Sequence, residues 1–267
     1  MDLILGAEGS AVDTGHEAAW RRFEPLLDEL VAELPLLRQA VQAPCGLRGQ
    51  VARRMWTACE PFAAGFITPM AAVAGAVAQE LIACYQRPGI TKAWVNNGGD
   101  IALHLAPRAS VHVGLVADLA AANLDGHFTV RAEHPVRGIA TSGWRGRSFS
   151  LGIADSVTVL APTAAMADAA ATVIANAVNV ADHRIVRSPA NRVKDNSDLG
   201  ERLVTVDVPA LPAALVHLAL QSGAACARAL QSAGLITSAV LVCQGRHITV
   251  EPKPVLAGSP IAYEATP

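Results

Sequence analysis

The stretch "KAWVNNGGDIALHL", Lys92 to Leu105, places a polar turn between two strand-like segments. Apolar residues dominate both segments, as expected for strands that pack one face on a core. An Asn-Gly pair is already sufficient for a tight hairpin, so five consecutive polar or glycine residues exceed what a turn requires. The stretch therefore predicts an antiparallel pair of strands whose connecting turn also holds something else.

Further strand candidates follow at short spacing, which favours antiparallel pairing over repeated strand–helix–strand units. They lie at 110–116, 127–132, 156–160 and 202–208, in a strand that ends at Thr141-Ser142-Gly143, and in a hairpin of 239–243 with 247–251. Helical periodicity predicts helices at 16–34 with a break at Pro25, and at 48–59, 66–89, 163–180 and 211–232. Residues 187–200 are predicted to form a polar loop, and the tail beyond Pro252 is predicted to be irregular.

We therefore predict an α+β fold in which mainly antiparallel sheet packs against long Ala-rich helices. Residues 1–267 form either a single domain or two fused lobes on this interpretation. In both cases the length is sufficient to bury a sizeable core.

The composition argues against several classes of function. The chain is 52% hydrophobic and 16% charged, against a usual charged share of about a quarter. A net charge of −2, without long basic runs, gives no support to nucleic-acid binding. The cysteines are scattered without a C-x-x-C pair, as expected in a reducing compartment. The apolar stretch at the N-terminus is too short for a signal peptide, and the apolar run that begins at Met70 is too short for a membrane span. We therefore expect a cytoplasmic protein without a membrane partner.

The predicted helix 163–180 carries one charged residue between Ala164 and Ala181, namely Asp168. Thr172 lies four residues further on and shares its helix face, and Asn176 and Asn179 continue that stripe. The stripe is either a solvent face or the lining of a polar pocket, and solvent faces are usually built from Lys, Glu and Arg. The carboxylate alone is also explained by the helix dipole. A carboxylate and a hydroxyl one turn apart supply the oxygen ligands that Mg²⁺ prefers.

A second candidate site lies in the segment 137–150. Thr141, Ser142 and Gly143 offer hydroxyls and backbone N–H groups, and Arg145 and Arg147 follow closely. These are the groups that bind phosphate oxygens, and Trp144 between them can stack on a heterocycle. The alternative is a surface turn with solvated arginines.

The turn in the opening stretch is the third candidate. Gly98 and Gly99 allow a ligand to approach the backbone closely, while Asn97 and Asp100 can accept hydrogen bonds from a base, ring or ribose. A hairpin turn stabilised by its own Asx side chains is the alternative.

Three motifs occur in an order that resembles the ApbE-like superfamily, whose best-known members are FAD:protein FMN transferases. They are "VNNGGDIALHL" (95–105), "GIATSG" (138–143) and "SVTVLAPTAAMADAAAT" (156–172). The chain is most similar to an uncharacterised cytoplasmic branch that shares "FITPMAAVAGAVA" (66–78), "RGRSFSLGIADSVTVLA" (145–161) and "SDLG" (197–200). The resemblance covers roughly residues 60–210 in recognisable motifs.

This resemblance implies that the Gly-Gly-Asp and Thr-Ser-Gly turns line an FAD site. It also implies that Asp168 and Thr172 bind the Mg²⁺ that bridges the pyrophosphate. Two family features are absent: Ala72–Gly75 contains no lysine, and no His…Asp-Pro-Arg-Thr-Gly loop precedes the strand 156–160. Asp155 occupies part of the position of that loop and is the candidate catalytic residue.

These observations lead to three hypotheses. The first is an enzyme that binds a small phosphorylated heterocyclic ligand, FAD or a related flavin nucleotide, with Mg²⁺ and transfers a phosphoester-linked group. The second is a non-catalytic carrier or sensor on the same scaffold, suggested by the missing lysine and loop. The third is a structural subunit whose Ala-rich helices form a homo-oligomer interface.

Overall fold

The computed structural model describes residues 3–115, 126–252, 261 and 263–265. Most of the tail, for which an irregular conformation is predicted, lies outside these residues. Seven strands form the largest sheet, in the order β1-β2-β3-β6-β7-β10-β11. They are β1 (Leu3–Gly9), β2 (Ile90–Asn97), β3 (Asp100–Leu105), β6 (Gly138–Ser142), β7 (Ser156–Ala161), β10 (Ser238–Cys243) and β11 (Arg246–Val250).

Two smaller sheets complete the described strands. One has the order β12-β5-β4, and the other pairs β8 with β9. Their strands are β4 (Ser110–Leu115), β5 (Gly126–Arg131), β8 (Val186–Pro189), β9 (Leu203–Asp207) and β12 (Tyr263–Ala265).

The helices are interspersed along the chain. They are α1 (Val12–Phe23), α2 (Leu26–Ala32), α3 (Leu34–Leu37), α4 (Gln50–Cys59), α5 (Val73–Ile82), α6 (Ala164–Ala177), α7 (Ala190–Val193) and α8 (Ala213–Ser232). Strand pairs β1/β2, β2/β3, β3/β6 and β10/β11 are antiparallel, so the predicted α+β class with mainly antiparallel sheet is confirmed.

The chain divides into two compact units. Unit 1 comprises Met1–Val111, Thr129–Ala140 and Leu160–Ala169, and unit 2 comprises His112–Phe128, Thr141–Val159 and Ala170–Pro267.

In unit 1, the strands β1, β2 and β3 form an antiparallel ladder against which α5 packs. The predicted break at Pro25 is confirmed, because α1 ends at Phe23 and α2 begins at Leu26. The predicted helix 66–89 is instead a 3₁₀ turn at Pro69–Ala72 followed by α5 and a second 3₁₀ turn. Helix α5 therefore begins at Val73, five residues after the Thr-Pro start signal at Thr68.

Strand β1 was not predicted from the sequence. Gly6 and Gly9 weaken its local strand propensity, and the strand forms through its pairing with β2. A Cβ atom on Gly6 would lie 2.1 Å from the ring of Trp94. The indole therefore occupies the space that a side chain at position 6 would take.

Glu80 lies at the centre of a buried ion network in unit 1. Its Oε1 accepts a hydrogen bond from Arg22 Nε at 2.7 Å, and its Oε2 accepts one from Arg54 Nη1 at 2.6 Å. Burial raises the pKa of Glu80, but the hydrogen bonds from Arg22 and Arg54 outweigh it, so the pKa lies below its ordinary value.

We expect Glu80→Gln to lower the free energy of unfolding by about 1–2 kcal/mol near neutral pH, because Arg22 retains its second partner Glu29. The stabilisation by Glu80 is present above its unfolded pKa of 4.5 and is lost as pH falls through the lower folded value. Urea denaturation of wild type and variant across this range measures the effect. Glu17→Gln, which removes an exposed carboxylate, is the control. Equal losses in both variants would contradict the prediction.

In unit 2, helix α8 packs against the hairpin of β10 and β11. The predicted turn at Gln244-Gly245 is confirmed, with φ values of 46° and 72°. The prediction of a polar loop over 187–200 was wrong, because β8 and α7 occupy its first half. Residues of β8 pair with β9, a non-local contact that a short polar segment does not reveal.

Helix α8 has twenty residues and is apolar enough that, by length and composition alone, it could cross a membrane. It is the one helix of this kind among the described residues. Val216, Leu220 and Ala224 are buried residues of this helix, as expected for an amphipathic helix that packs one face on a sheet. A cytoplasmic location stays a prediction.

Candidate functional site

The turn between β2 and β3 is a two-residue hairpin loop. Asn97 and Asp100 form its last strand pair, and Gly98 and Gly99 have φ values of 66° and 112°. Such positive values favour glycine, which has no Cβ atom to clash. The side-chain Oδ1 of Asn96 accepts a hydrogen bond from Gly99 N at 2.8 Å, so the turn is stabilised by its own Asx side chain.

The two polar side chains that flank this loop are buried. Asn97 is 7% exposed and Asp100 is 8% exposed. The Asn97 Nδ2 donates a hydrogen bond to Ala74 O at 3.2 Å, which ties the turn to the first turn of α5. The turn therefore directs an amide and a carboxyl group into unit 1 rather than into solvent.

Asp168, in α6, contacts the same helix terminus. Its Oδ2 accepts a hydrogen bond from Gly75 N at 2.9 Å, and the backbone of Ala74 also hydrogen-bonds its carboxyl. These amides lie at the second and third positions of α5, where backbone N–H groups have no partner within the helix. Asp168 therefore accepts hydrogen bonds from backbone N–H groups at the N-terminus of α5 and interacts favourably with the helix dipole.

Close approach at Gly75 makes this contact possible. A Cβ atom on Gly75 would lie 2.2 Å from Ala164 O and 2.9 Å from the Cβ of Asp168. Neither atom can be avoided by rotating a flexible side chain, so position 75 requires glycine.

The pKa of Asp168 lies well above its ordinary value. Burial has the largest effect, and the nearby Asp100 raises the pKa further, whereas the hydrogen bonds from Gly75 and Ala74 lower it. The residue keeps some accessible surface although protein atoms surround its carboxyl group. The surroundings of the carboxyl determine the free-energy cost of its charge. Two neighbouring acids at this position favour either a retained proton or a bound cation.

The other residues of the predicted stripe have different environments, and Asn179 lies beyond the end of α6 at Ala177. Thr172, one turn after Asp168, is partly exposed. Asn176 Oδ1 accepts hydrogen bonds from Leu151 N at 2.8 Å and Ser150 Oγ at 3.2 Å. Asn179 donates to Leu151 O at 3.1 Å and accepts from Arg187 at 2.7 Å. The two amides thus bind the protein's own segments, a role that helical spacing alone does not predict.

Across residues 3–115 and 126–252, no group of three or more His, Cys, Asp or Glu side chains is arranged to hold a metal ion. Mg²⁺ sites in phosphate-binding proteins commonly use only one or two carboxylates, with phosphates and waters as the remaining ligands. Within unit 1, Asp168 and Asp100 have the oxygen chemistry of such a partial set.

The second candidate segment lies in unit 2. Thr141, at the end of β6, shares a hydrogen bond of 2.9 Å between its Oγ1 and that of the buried Thr158. Ser142 is partly exposed, whereas Gly143 is buried against Asp155. A Cβ atom on Gly143 would lie 2.2 Å from Asp155 O, so this turn too requires glycine.

Asp155 binds three donors in this segment. Its Oδ1 accepts a hydrogen bond from Trp144 Nε1 at 3.3 Å and forms an ion pair with Arg145 Nε at 3.2 Å, and its Oδ2 accepts a hydrogen bond from Gln244 N. The Asp155 side chain is 14% exposed, that of Arg145 is 48% exposed, and Arg147 is exposed. The assignment of Asp155 as a catalytic residue stays a prediction.

The predicted site residues thus fall into two clusters. The turn from Asn97 to Asp100 lies with Asp168 in unit 1, and the segment from Thr141 to Arg147 lies with Asp155 in unit 2. The sequence did not predict that the backbone N–H groups of Ala74 and Gly75 bind Asp168, or that the backbone N–H group of Gln244 binds Asp155. The Val-Ala-Gly sequence offered a signal for the first pair, because a glycine within an otherwise apolar helix indicates a close contact.

A family model described as "AbpE bacteria" matches residues 1–249. The chain belongs to this ApbE-related family. The match covers both clusters, which supports the family assignment made from the three ordered motifs.

Several archaeal relatives are similar to this ApbE-related protein. UPF0280 protein MK0206 of Methanopyrus kandleri is 40% identical over 178 residues, which is 66% of this chain and 69% of the relative. A UPF0280 protein of Methanospirillum hungatei is 40% identical over 117 residues, 43% of this chain and 47% of the relative. A third, from Methanosphaerula palustris, is 32% identical over 180 residues, 67% of this chain and 73% of the relative. The chain thus spans about half of the second relative, and none of these three names specifies an activity.

Proposed function

We propose that this ApbE-related protein binds a phosphorylated heterocyclic ligand, FAD or a related flavin nucleotide, together with Mg²⁺. The observation that carries the proposal is the Asp168 carboxyl, which is surrounded by protein, has a raised pKa and has Asp100 as a neighbour. Two close carboxyl groups in a poorly solvated environment repel each other when both are ionised. A divalent cation balances these charges and provides a reason for the arrangement.

The residues present fit Mg²⁺ in their chemistry. Asp168 and Thr172 would hold the metal, since both offer oxygen atoms on one face of α6. When bound, Mg²⁺ would neutralise pyrophosphate charge and stabilise a leaving phosphate. The Gly75 and Ala74 amides orient the Asp168 carboxyl, so this ligand needs no reorganisation before the metal binds.

The other predicted residues are proposed for the organic part of the ligand. Arg145 and Arg147, with the hydroxyls of Thr141 and Ser142, would bind phosphate oxygens, because guanidinium and hydroxyl groups form charge-assisted hydrogen bonds with them. The turn from Asn97 to Asp100 would contact polar atoms of the ligand. The space beside Gly99 is open to a ligand, because a Cβ atom at this position would meet no atom within 4 Å.

A titration tests the proposal directly. The purified protein is titrated with FAD, FMN, ADP and pyrophosphate by calorimetry, with Mg²⁺ and with EDTA. We expect Mg²⁺ to strengthen the binding of at least one pyrophosphate-bearing ligand by about tenfold or more, because the metal would neutralise negative charge on the protein and on the ligand. Thr172→Val removes one oxygen ligand at nearly constant volume and should reduce this gain. Absence of any binding below about millimolar concentration would overturn the proposal.

A second candidate function is a carrier or sensor that binds the ligand without transferring a group. The absence of a lysine from Ala72–Gly75 favours it, as does the absence of a His…Asp-Pro-Arg-Thr-Gly loop before β7. Incubation with radiolabelled ligand and Mg²⁺ distinguishes the two. A labelled group that moves to any protein or small-molecule acceptor identifies an enzyme, whereas ligand recovered intact after many binding cycles identifies a carrier.

A further inference from the structure

Trp144 is held from both its main chain and its ring, although it lies in an irregular segment. Its backbone N donates a hydrogen bond to Ala154 O at 3.0 Å, and its indole Nε1 donates to Asp155 Oδ1 at 3.3 Å. The guanidinium carbon of Arg145 lies 5.2 Å from the centroid of the Trp144 ring, within cation–π range. The indole is therefore restrained at two points, while its side chain remains partly exposed.

The carboxylate beneath this pair is itself fixed. Asp155 N donates to Val242 O at 2.9 Å, and Asp155 Oδ2 accepts from Gln244 N. The Gln244 side chain bonds Leu211 N at 2.9 Å and Pro209 O at 2.8 Å, which anchors the hairpin turn. Asp155 thus connects a rigid hairpin to the ring and the guanidinium, and a rigid support of this kind lowers the cost of ordering a binding surface.

A purely structural role for Asp155 explains its contact with Gln244 but does not explain why Trp144 and Arg145 are held in place while partly exposed. A partly exposed indole and a half-exposed guanidinium present flat, polarizable surfaces toward solvent. Flat heterocycles stack on both kinds of surface, and the attraction depends on how well the surfaces are oriented.

We propose that Asp155 is a positioning residue that orients the Trp144 indole as a stacking surface for the flat ring of the ligand. This inference rests on the proposed function and deepens it, because it assigns ring recognition to the indole and leaves Arg145 to the phosphates. It also predicts a separation of effects, since loss of the indole orientation weakens binding of the ring, whereas Arg145 and Arg147 keep their charges for the phosphates.

The test compares a ligand that has a ring but no phosphate with one that has phosphates but no ring. Riboflavin, and pyrophosphate with Mg²⁺, are titrated into wild type, Asp155→Asn and Trp144→Phe, with tryptophan fluorescence and calorimetry as readouts. We expect Asp155→Asn to lower the affinity for riboflavin about tenfold and the affinity for pyrophosphate less than twofold. Trp144→Phe deletes the indole N–H that Asp155 accepts but leaves the carboxylate and its hydrogen bond from Gln244 N in place. It should produce the same ring-selective loss, so the test survives if Asp155→Asn does not fold.

Trp20→Phe, on the exposed face of α1, is the matched control and should change neither affinity. The positioning role is overturned if both variants lose affinity for riboflavin and for pyrophosphate to the same extent, or if neither loses affinity for riboflavin. Both outcomes leave the proposed function intact. If wild type binds pyrophosphate with Mg²⁺ but no ring compound, the ring-recognition inference alone fails. If wild type binds none of these ligands, both the proposed function and this inference fail.

Discussion

Asp168→Asn is expected to weaken Mg²⁺-dependent ligand binding by about 100-fold or more. The substitution keeps the shape of the side chain but removes the charge that would attract the cation. Changes to residues that only support a metal ligand typically cost about 10–100-fold in metal affinity, and a direct ligand should cost at least as much. Calorimetric titration of the proposed ligand with Mg²⁺ and with EDTA measures the difference.

The same substitution is expected to change the pH dependence of stability in the absence of ligand. Burial and the neighbouring Asp100 raise the folded pKa of Asp168, so above its ordinary value of 3.8 the folded protein binds a proton that the unfolded chain releases. Stability therefore declines as pH rises between the unfolded and folded pKa values, by up to about 1.4 kcal/mol per pH unit for one proton. Asparagine does not titrate, so the variant lacks this contribution.

Thermal denaturation of wild type and Asp168→Asn across the acidic to neutral range checks this second effect. Near neutral pH and without Mg²⁺, we expect the variant to match or exceed wild type in Tm, while it loses ligand binding. Asp13→Asn removes an exposed acid from the first turn of α1 and is the control. Parallel Tm curves for wild type and Asp168→Asn would contradict a raised pKa at this position.

Gly75→Ala is expected to have the largest effect on stability, at about 3 kcal/mol or more. The added methyl would lie 2.2 Å from Ala164 O, so α5 must shift away from α6 to accommodate it. That shift lengthens the hydrogen bond from Gly75 N to Asp168 and weakens the cap of α5. For a chain of this size, such a loss corresponds to a decrease in Tm of roughly 6–12 °C.

Gly65→Ala is the matched control for this experiment. A Cβ atom on Gly65 would have Phe62 O as its nearest neighbour at 3.7 Å, an ordinary van der Waals distance. We expect the control to keep the wild-type Tm within about 2 °C, since exposed substitutions away from special contacts have small effects. A Gly75→Ala protein with the Tm of the control would mean that α5 and α6 tolerate a wider separation than the structure indicates.

Local signals predicted most of the secondary structure. The glycine turn between β2 and β3 and the Gln244-Gly245 turn both specify hairpins, because few residues other than glycine tolerate positive φ. The break at Pro25 and the Ala-rich helix α6 also follow from neighbouring residues alone. Strand β1 and the β8–α7 segment were missed, because their formation depends on partners distant in the chain rather than on their own composition.

The sequence by itself determined the α+β class, the hairpin turns and the choice of Asp168 as the candidate metal ligand. Only the tertiary structure decided which groups surround that carboxyl. Gly75 and Asp168 are separated by 93 positions in the chain, and the neighbouring Asp100 belongs to a strand rather than to α6. Desolvation and like-charge repulsion depend on distances in space, so no local pattern of residues could predict the raised pKa of Asp168.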